Sequence, residues 1–253
     1  MDASQTEQVI RTAVALVLLT AAALAVFRLG ALRLKGELLV SILRALVQLT
    51  LVALIIAWIF THPEGAYVYL AVMLLVAAWT STRRIGGDRR DYLRVLLAIG
   101  LGAAATIAIV LVTGALPRTA QSMLPFSAQM IGGAMTAASL AGLRLRDDIR
   151  ANWNEFEGYL ALGATVQRAG REFAHRATQR SLVPALDQTK SAGLVTLPGA
   201  FVGLLLGGAS PALAAQIQLL VLVGLLLAQS LTALLVTRWV SPIDRLPPFV
   251  VMK

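Results

Sequence analysis

The stretch SAGLVTLPGAFVGLLLGGASPALAAQIQLLVLVGLLLAQSLTALLVT, residues 191–237, contains no charged residue. As a single α-helix rising 1.5 Å per residue it would be about 70 Å long, more than twice the roughly 30 Å hydrocarbon core of a bilayer. Such a run must turn back on itself, and GGASP at 207–211 supplies the turn. The glycines end one helix, Ser210 caps the next, and Pro211 occupies a first helical position where its missing N–H has no partner to lose. The segment predicts two consecutive membrane spans, 191–207 and 212–237.

The rest of the chain follows the same pattern. Of its 253 residues 58% are hydrophobic and 14% charged, against about 25% charged in soluble domains, so a polar shell cannot be built around it. Runs at 9–28, 38–60, 66–82, 95–116 and 120–143 each approach the roughly 20 residues a spanning helix needs. The expected fold is therefore all-α: a single transmembrane domain over 1–253, a polytopic bundle of about seven transmembrane helices. With no cysteine, thiolate metal ligation, thiol catalysis and a disulfide framework are excluded. No positively charged region precedes the first apolar run, so that run is expected to be a true span rather than a cleaved signal.

A net charge of +9 would suggest nucleic acid in a soluble protein, but its distribution favours topology. All Lys and Arg residues except Arg11, Arg44 and Arg118 fall in 28–37, 83–94, 144–190 or after 237. The positive-inside rule puts those segments in the cytoplasm, giving an N-out, C-in orientation. The basic loops then read as topology signals beside anionic lipid, with no nucleic-acid partner.

Residues 144–190 are too long and too helix-prone for a simple connector. Within them lies Glu157-Gly158-Tyr159-Leu160-Ala161-Leu162-Gly163-Ala164-Thr165. Gly163 can end a helix and Thr165 can cap the next, so the segment predicts helix, sharp bend, helix. Tyr159, Leu160 and Leu162 would offer apolar contacts to a partner's groove, and Glu157 a charge. The same pattern also suits an amphipathic helix lying at the lipid interface.

This segment resembles the EAA loop of ABC transporter permeases, and the chain as a whole resembles the FetB-like permease family. The matching stretches are RALVQL at 44–49, AAW at 77–79 with Arg83-Arg84, LGAT at 162–165, and PALDQTKSAGLVTLPG at 184–199, continuing through Gly203, Gly208 and Pro211 to Gln218. That family is associated with bacterial iron export and has plant relatives implicated in aluminium tolerance. The resemblance implies a multi-pass protein of the bacterial cytoplasmic membrane. It also implies a homodimeric permease paired with a separate ATPase subunit, which binds ATP and Mg and docks on Glu157, Tyr159, Leu160, Leu162, Gly163, Ala164 and Thr165. The cargo would be iron, a related metal or a metal complex; the plant branch allows a nucleotide sugar.

Polar and soft residues within the spans are candidates for the translocation path or gate. Arg44 and Gln48, four apart, share a helical face. Arg44 either anchors or pairs at the inner interface, or meets an anionic substrate or the gate. Gln129, Gln218 and Gln229 suit interhelical hydrogen bonds. Met130 and Met135 are soft donors, whereas ferric and aluminium ions prefer oxygen, so both read better as packing. Only His62 and His175 are available as imidazole ligands, and no metal site is assigned. Pro198-Gly199 predicts a kink or break early in the sixth span, and Gly199 with Gly203 forms a small-xxx-small face. Asp187 and Lys190 are expected to pair at its base.

No Gly-x-x-x-x-Gly-Lys-Ser/Thr phosphate loop occurs, so the chain is not expected to hydrolyse ATP by that route or to be an enzyme with a cofactor of its own. An exporter permease driven by a separate motor is the leading reading. The alternatives are an ATP-independent secondary carrier or channel, which would need buried carboxylates that the spans do not contain, and an ABC permease for an organic anion.

Overall fold

The computed structural model describes residues 3–30 and 35–240. Its regular elements are ten helices in this order: α1 (Ala3–Leu29), α2 (Lys35–Thr61), α3 (Gly65–Ile85), α4 (Arg89–Thr113), α5 (Ala120–Ala151), α6 (Trp153–Ala161), α7 (Val166–Ala169), α8 (Arg171–Ser191), α9 (Gly199–Leu206) and α10 (Pro211–Trp239). The only extended pairing among the described residues is an isolated bridge between Ala192 and Thr196. By their contacts the residues fall into two compact units, Met1–Thr61 and His62–Lys253.

The first unit is the pair α1 and α2, which pack on each other. Both are long and apolar enough to cross a membrane, and no residue of either apolar window is buried. A helix apolar all round has no soluble explanation; it belongs in lipid. Thr12, Thr20 and Thr50 donate their hydroxyls to the carbonyls of Gln8, Leu16 and Leu46, which satisfies each within its own helix.

In the second unit α4 and α5 pack on each other and on both α3 and α10, α8 lies against α5 and α10, and α9 against α10. The core is built from small residues: Ala78, Ala98, Ala134, Ala138 and Ala228 are fully buried. Lipid tails are as apolar as leucine, so membrane helices gain most from close backbone approach and interhelical hydrogen bonds. Both occur here. At Gly102 a Cβ would run into Thr232 and come within 2.6 Å of the Ala228 carbonyl, so α4 and α10 touch backbone to backbone. Thr232 Oγ1 donates to the Ala98 carbonyl at 3.2 Å, and Ser81 Oγ to that of Met135 at 3.0 Å. Thr178 on α8 and Thr237 on α10 share a buried hydroxyl hydrogen bond of 3.0 Å.

Among the described residues five helices are long and apolar enough to span: α1, α2, α3, α4 and α10. The other two expected spans differ from expectation in distinct ways. Helix α5 covers 120–143 but continues without a break to Ala151, 32 residues in all. Ser122, Ser127, Gln129, Thr136 and Ser139 dilute its apolar character, and its core face is buried against α3 and α10. The sixth expected span, 191–207, is not a spanning helix. Helix α8 ends at Ser191, the chain turns with Gly193 at φ +85°, and Gly193 N–H bonds to the Thr196 carbonyl at 2.8 Å. Pro198, which has no N–H and disfavours a helical residue before it, then opens α9 as its N-cap. Eight residues of α9 reach only about 12 Å. The return turn forms as expected: Gly208 has φ +88°, and Ser210 Oγ accepts the Leu213 N–H at 3.3 Å with Pro211 at the first helical position.

Candidate coupling site

The long segment after 143 folds as an elbow made of the end of α5, then α6, α7 and α8. Its own small core consists of Leu145, Ile149, Phe156, Ala169, Phe173 and Ala177. Phe156 and Phe173 are fully buried, their ring centroids 6.0 Å apart in an edge-to-face arrangement, with Trp153 5.6 Å beyond Phe156. Truncating a buried aromatic of this kind costs about 3–5 kcal/mol. The elbow is thus packed as a solid body, in contrast to an amphipathic strip.

Charges tie the same body together. Asp148, near the end of α5, is 9% exposed at its side chain and lies 3.3 Å from Arg176 Nε and 3.4 Å from Arg180 Nη1, both on α8. Asn152 Nδ2 donates to its backbone carbonyl at 2.9 Å. Arg176 also reaches Glu155 of α6 at 3.8 Å and stacks its guanidinium 4.7 Å from the Phe173 ring centroid. One planar cation thereby joins three helices, a task for which lysine has no equivalent geometry.

The bend itself follows from Gly163. The Ala164 N–H bonds to the Tyr159 carbonyl at 3.0 Å and the Gly163 N–H to that of Leu160 at 2.9 Å, the two bonds of a Schellman closure. That closure requires φ > 0 at the residue after the C-cap, and Gly163 adopts +85°. Thr165 then caps α7, its Oγ1 accepting the Arg168 N–H at 3.3 Å. Helix, bend and helix lie where the residue pattern put them.

The tip is apolar and open. Leu162 is 87% and Tyr159 41% exposed, and Glu157 and Gly163 are exposed beside them. Leu160 and Ala164, expected at the docking face, instead pack against the elbow core. The reason is helical spacing: Leu160 is four residues after Phe156 and shares its inward face. Sequence reasoning did not reach Phe156, Asp148 or Arg176. A faint local signal existed in Trp153 and Phe156 at i, i+3, but the Asp148–Arg176 pair joins positions with no periodic relation.

The expected path residues are divided between the two units. Arg44 and Gln48 are exposed on α2, in the first unit. Gln129 is exposed on α5. Met130 is fully buried, packed where a Cβ on Gly224 of α10 would come within 3.2 Å of its sulfur. Met135 is half-buried, and its carbonyl accepts from Ser81 and Ser139. Both methionines are packing residues. Pro198, Gly199 and Gln218 do converge: Gln218, 6% exposed, accepts the Phe201 N–H at 3.1 Å through Oε1. Pro198 has no side-chain cap to give, and Gln218 of α10 satisfies one of the orphan donors of α9 in its place. Asp187 and Lys190, expected to pair, are both exposed and form no ion pair with each other among the described residues; at the solvated end of α8 little would hold them together. No group of three or more potential His, Asp or Glu metal ligands occurs among the described residues.

Comparison with known proteins identifies a family. The model of an uncharacterised protein family, UPF0014, matches residues 9–242. The chain is similar to the protein ALUMINUM SENSITIVE 3 of Arabidopsis thaliana, 35% identical over 76% of this chain and 71% of that protein. It is similar to the UPF0014 membrane protein STAR2 of Oryza sativa subsp. japonica, 34% identical over 83% of this chain and 73% of that one. It is also similar to the probable iron export permease protein FetB of Escherichia coli, 28% identical over 81% of this chain and 80% of that protein. No solved structure matches the chain.

Proposed function

The chain belongs to the UPF0014 family, and on the premise of a multi-pass cell-membrane protein of that family we propose that it is the permease subunit of an ABC exporter. Two copies form the pathway, and a separate ATPase docks on the elbow from the cytoplasmic side, with ATP and Mg held by that partner. The cargo is iron, a related metal or a metal complex. The resemblance to a protein named as a probable iron export permease supports the transport reading. The observation that carries the motor reading is the elbow tip: Leu162 is 87% exposed on a bend pinned from below by Phe156 and Arg176.

A lever must be stiff along its length and sticky only at its end, and the elbow meets both conditions. Its load is passed to α5, which is continuous from the elbow into the bundle, and to α8, which contacts α5 and α10. A push on the tip therefore reaches the α5–α10 packing through rigid helices. An anionic metal complex would give Arg44 a counter-charge, while a naked cation would be repelled by it.

Co-expression with a candidate ATPase tests the reading. The wild-type chain should copurify with it and support ATP-dependent metal efflux from vesicles. Leu162→Asp should fold normally, lose the ATPase and lose efflux. Efflux that persists without any nucleotide would discard the motor reading.

A further inference from the structure

The connection between α3 and α4 borders a half-open cavity of about 410 Å³ lined by Trp79, Thr82, Arg83, Gly87, Asp88, Arg89 and Tyr92. We infer that this cavity binds the headgroup of an acidic phospholipid, with Arg83 and Arg89 on its phosphate and Trp79 and Tyr92 against its glycerol and upper acyl carbons.

Position supports the first half of the inference. Helices α3 and α4 pack on each other, and both are long and apolar enough to cross the membrane. The turn that joins them therefore lies at a lipid–water boundary, where an amphipathic aromatic belongs. Trp79 is 58% exposed, and Tyr92 directs its hydroxyl to the Leu75 carbonyl at 3.4 Å.

Charge supports the second half. Arg83, Arg84, Arg89 and Arg90 are all exposed and, among the described residues, none is in an ion pair. The acids beside them are already engaged. Asp88 accepts the backbone N–H groups of Arg90 and Asp91 at 2.7 and 3.0 Å as the cap of α4. Asp91 is 3% exposed and 3.4 Å from Arg94. What remains is an excess of cation around a mostly apolar hollow, which complements a phosphate ester carried on hydrocarbon and suits neither a free ion nor a plain acyl chain. The volume falls within the range of ligand sites, about 300–1,000 Å³.

The walls are built before any ligand arrives. Gly86 takes φ +76° to end α3, Gly87 N–H bonds to the Thr82 carbonyl at 2.8 Å, and Arg146 of α5 donates to the Ile85 carbonyl at 3.1 Å. Arg83 is held 6.0 Å from the Trp79 ring centroid, so its guanidinium is already turned toward the aromatic wall.

Native mass spectrometry of the purified full chain, titrated with phosphatidylglycerol, phosphatidylcholine or glycerol 3-phosphate, tests the assignment. One phosphatidylglycerol per chain should be retained at collision energies that strip phosphatidylcholine, and glycerol 3-phosphate should not compete. The double variant Arg83→Ala/Arg89→Ala should weaken phosphatidylglycerol binding about tenfold or more, while Arg171→Ala, an exposed arginine on the elbow, should leave it unchanged. Equal retention of both lipids, undiminished binding by the double variant, or full competition by glycerol 3-phosphate would overturn the inference. Quenching by dibrominated lipids gives a reading with both arginines intact. The part of the emission lost in Trp79→Phe should be quenched more by brominated phosphatidylglycerol than by brominated phosphatidylcholine, and equal quenching would count against the site.

Discussion

Gln218 Oε1 accepts the Phe201 N–H at 3.1 Å, so a side chain from α10 caps the N-terminus of α9. The cap matters because α9 has no buried residue of its own and packs chiefly against α10. In hydrocarbon a helix N-terminus left without partners is costly. Gln218→Leu should therefore orphan a donor at a cost of about 1–3 kcal/mol, seen as faster hydrogen exchange confined to 199–203. Uniform acceleration along α10 would instead mean that the glutamine holds the bundle.

The elbow separates stability from docking. Phe156→Ala should destabilise the segment by about 3–5 kcal/mol, with new protease cleavage between α6 and α8. Leu162→Ala should leave protection unchanged while weakening the proposed complex with an ATPase. If the two variants behave alike, the tip is part of the core and the division fails.

Gly163 has open space around it, since a Cβ there would meet nothing within 4 Å, but its φ of +85° is hostile to L side chains. Gly163→Ala should cost about 1–2 kcal/mol, and Gly163→Asn should recover part of that loss because asparagine tolerates the left-handed region. Identical effects from alanine and asparagine would point to lost space rather than backbone conformation.

Asp148 and Arg176 should be energetically coupled. A double-mutant cycle with Asp148→Asn and Arg176→Met should give a coupling of roughly 1 kcal/mol, within the range for residues in one ionic network. Arg176→Lys should recover little, since a lysine cannot both face Asp148 and lie flat on the Phe173 ring. Strict additivity would show that the pair is incidental.

Close helix approach at Gly102 predicts a steep dependence on side-chain size. Gly102→Ala should lower the thermal midpoint, and Gly102→Val should prevent stable insertion, because the Ala228 carbonyl and Thr232 stand where the new atoms would go. A folded, active valine variant would refute the backbone contact.

Much of this was legible in the residues. Charge placement marked the long apolar helices, and Gly208, Ser210 and Pro211 announced their turn because capping and backbone conformation are local. The Gly163 bend was readable for the same reason. Pro198-Gly199 announced a break in the sixth expected span, but the end of α8 and the shortness of α9 were not legible, because hydropathy alone cannot tell a spanning helix from an apolar turn followed by a short one. The run of α5 past 143 was hidden because Leu145 and Ile149 keep an inward stripe going among arginines and aspartates. The elbow's interior was the least visible, because Phe156 meets Phe173 and Asp148 meets Arg176 only after the chain has doubled back.

The alanine and glycine surfaces that join α3, α4, α5 and α10 carry one more implication. At Gly102 the backbones of α4 and α10 meet, at Gly224 the side chains of Thr106, Phe126 and Met130 close in, and prising those seams apart would sever the hydroxyl-to-carbonyl rungs of Thr232 and Thr106. Helices α3, α4, α5 and α10 are thus better suited to move as one rigid group than to part along these seams.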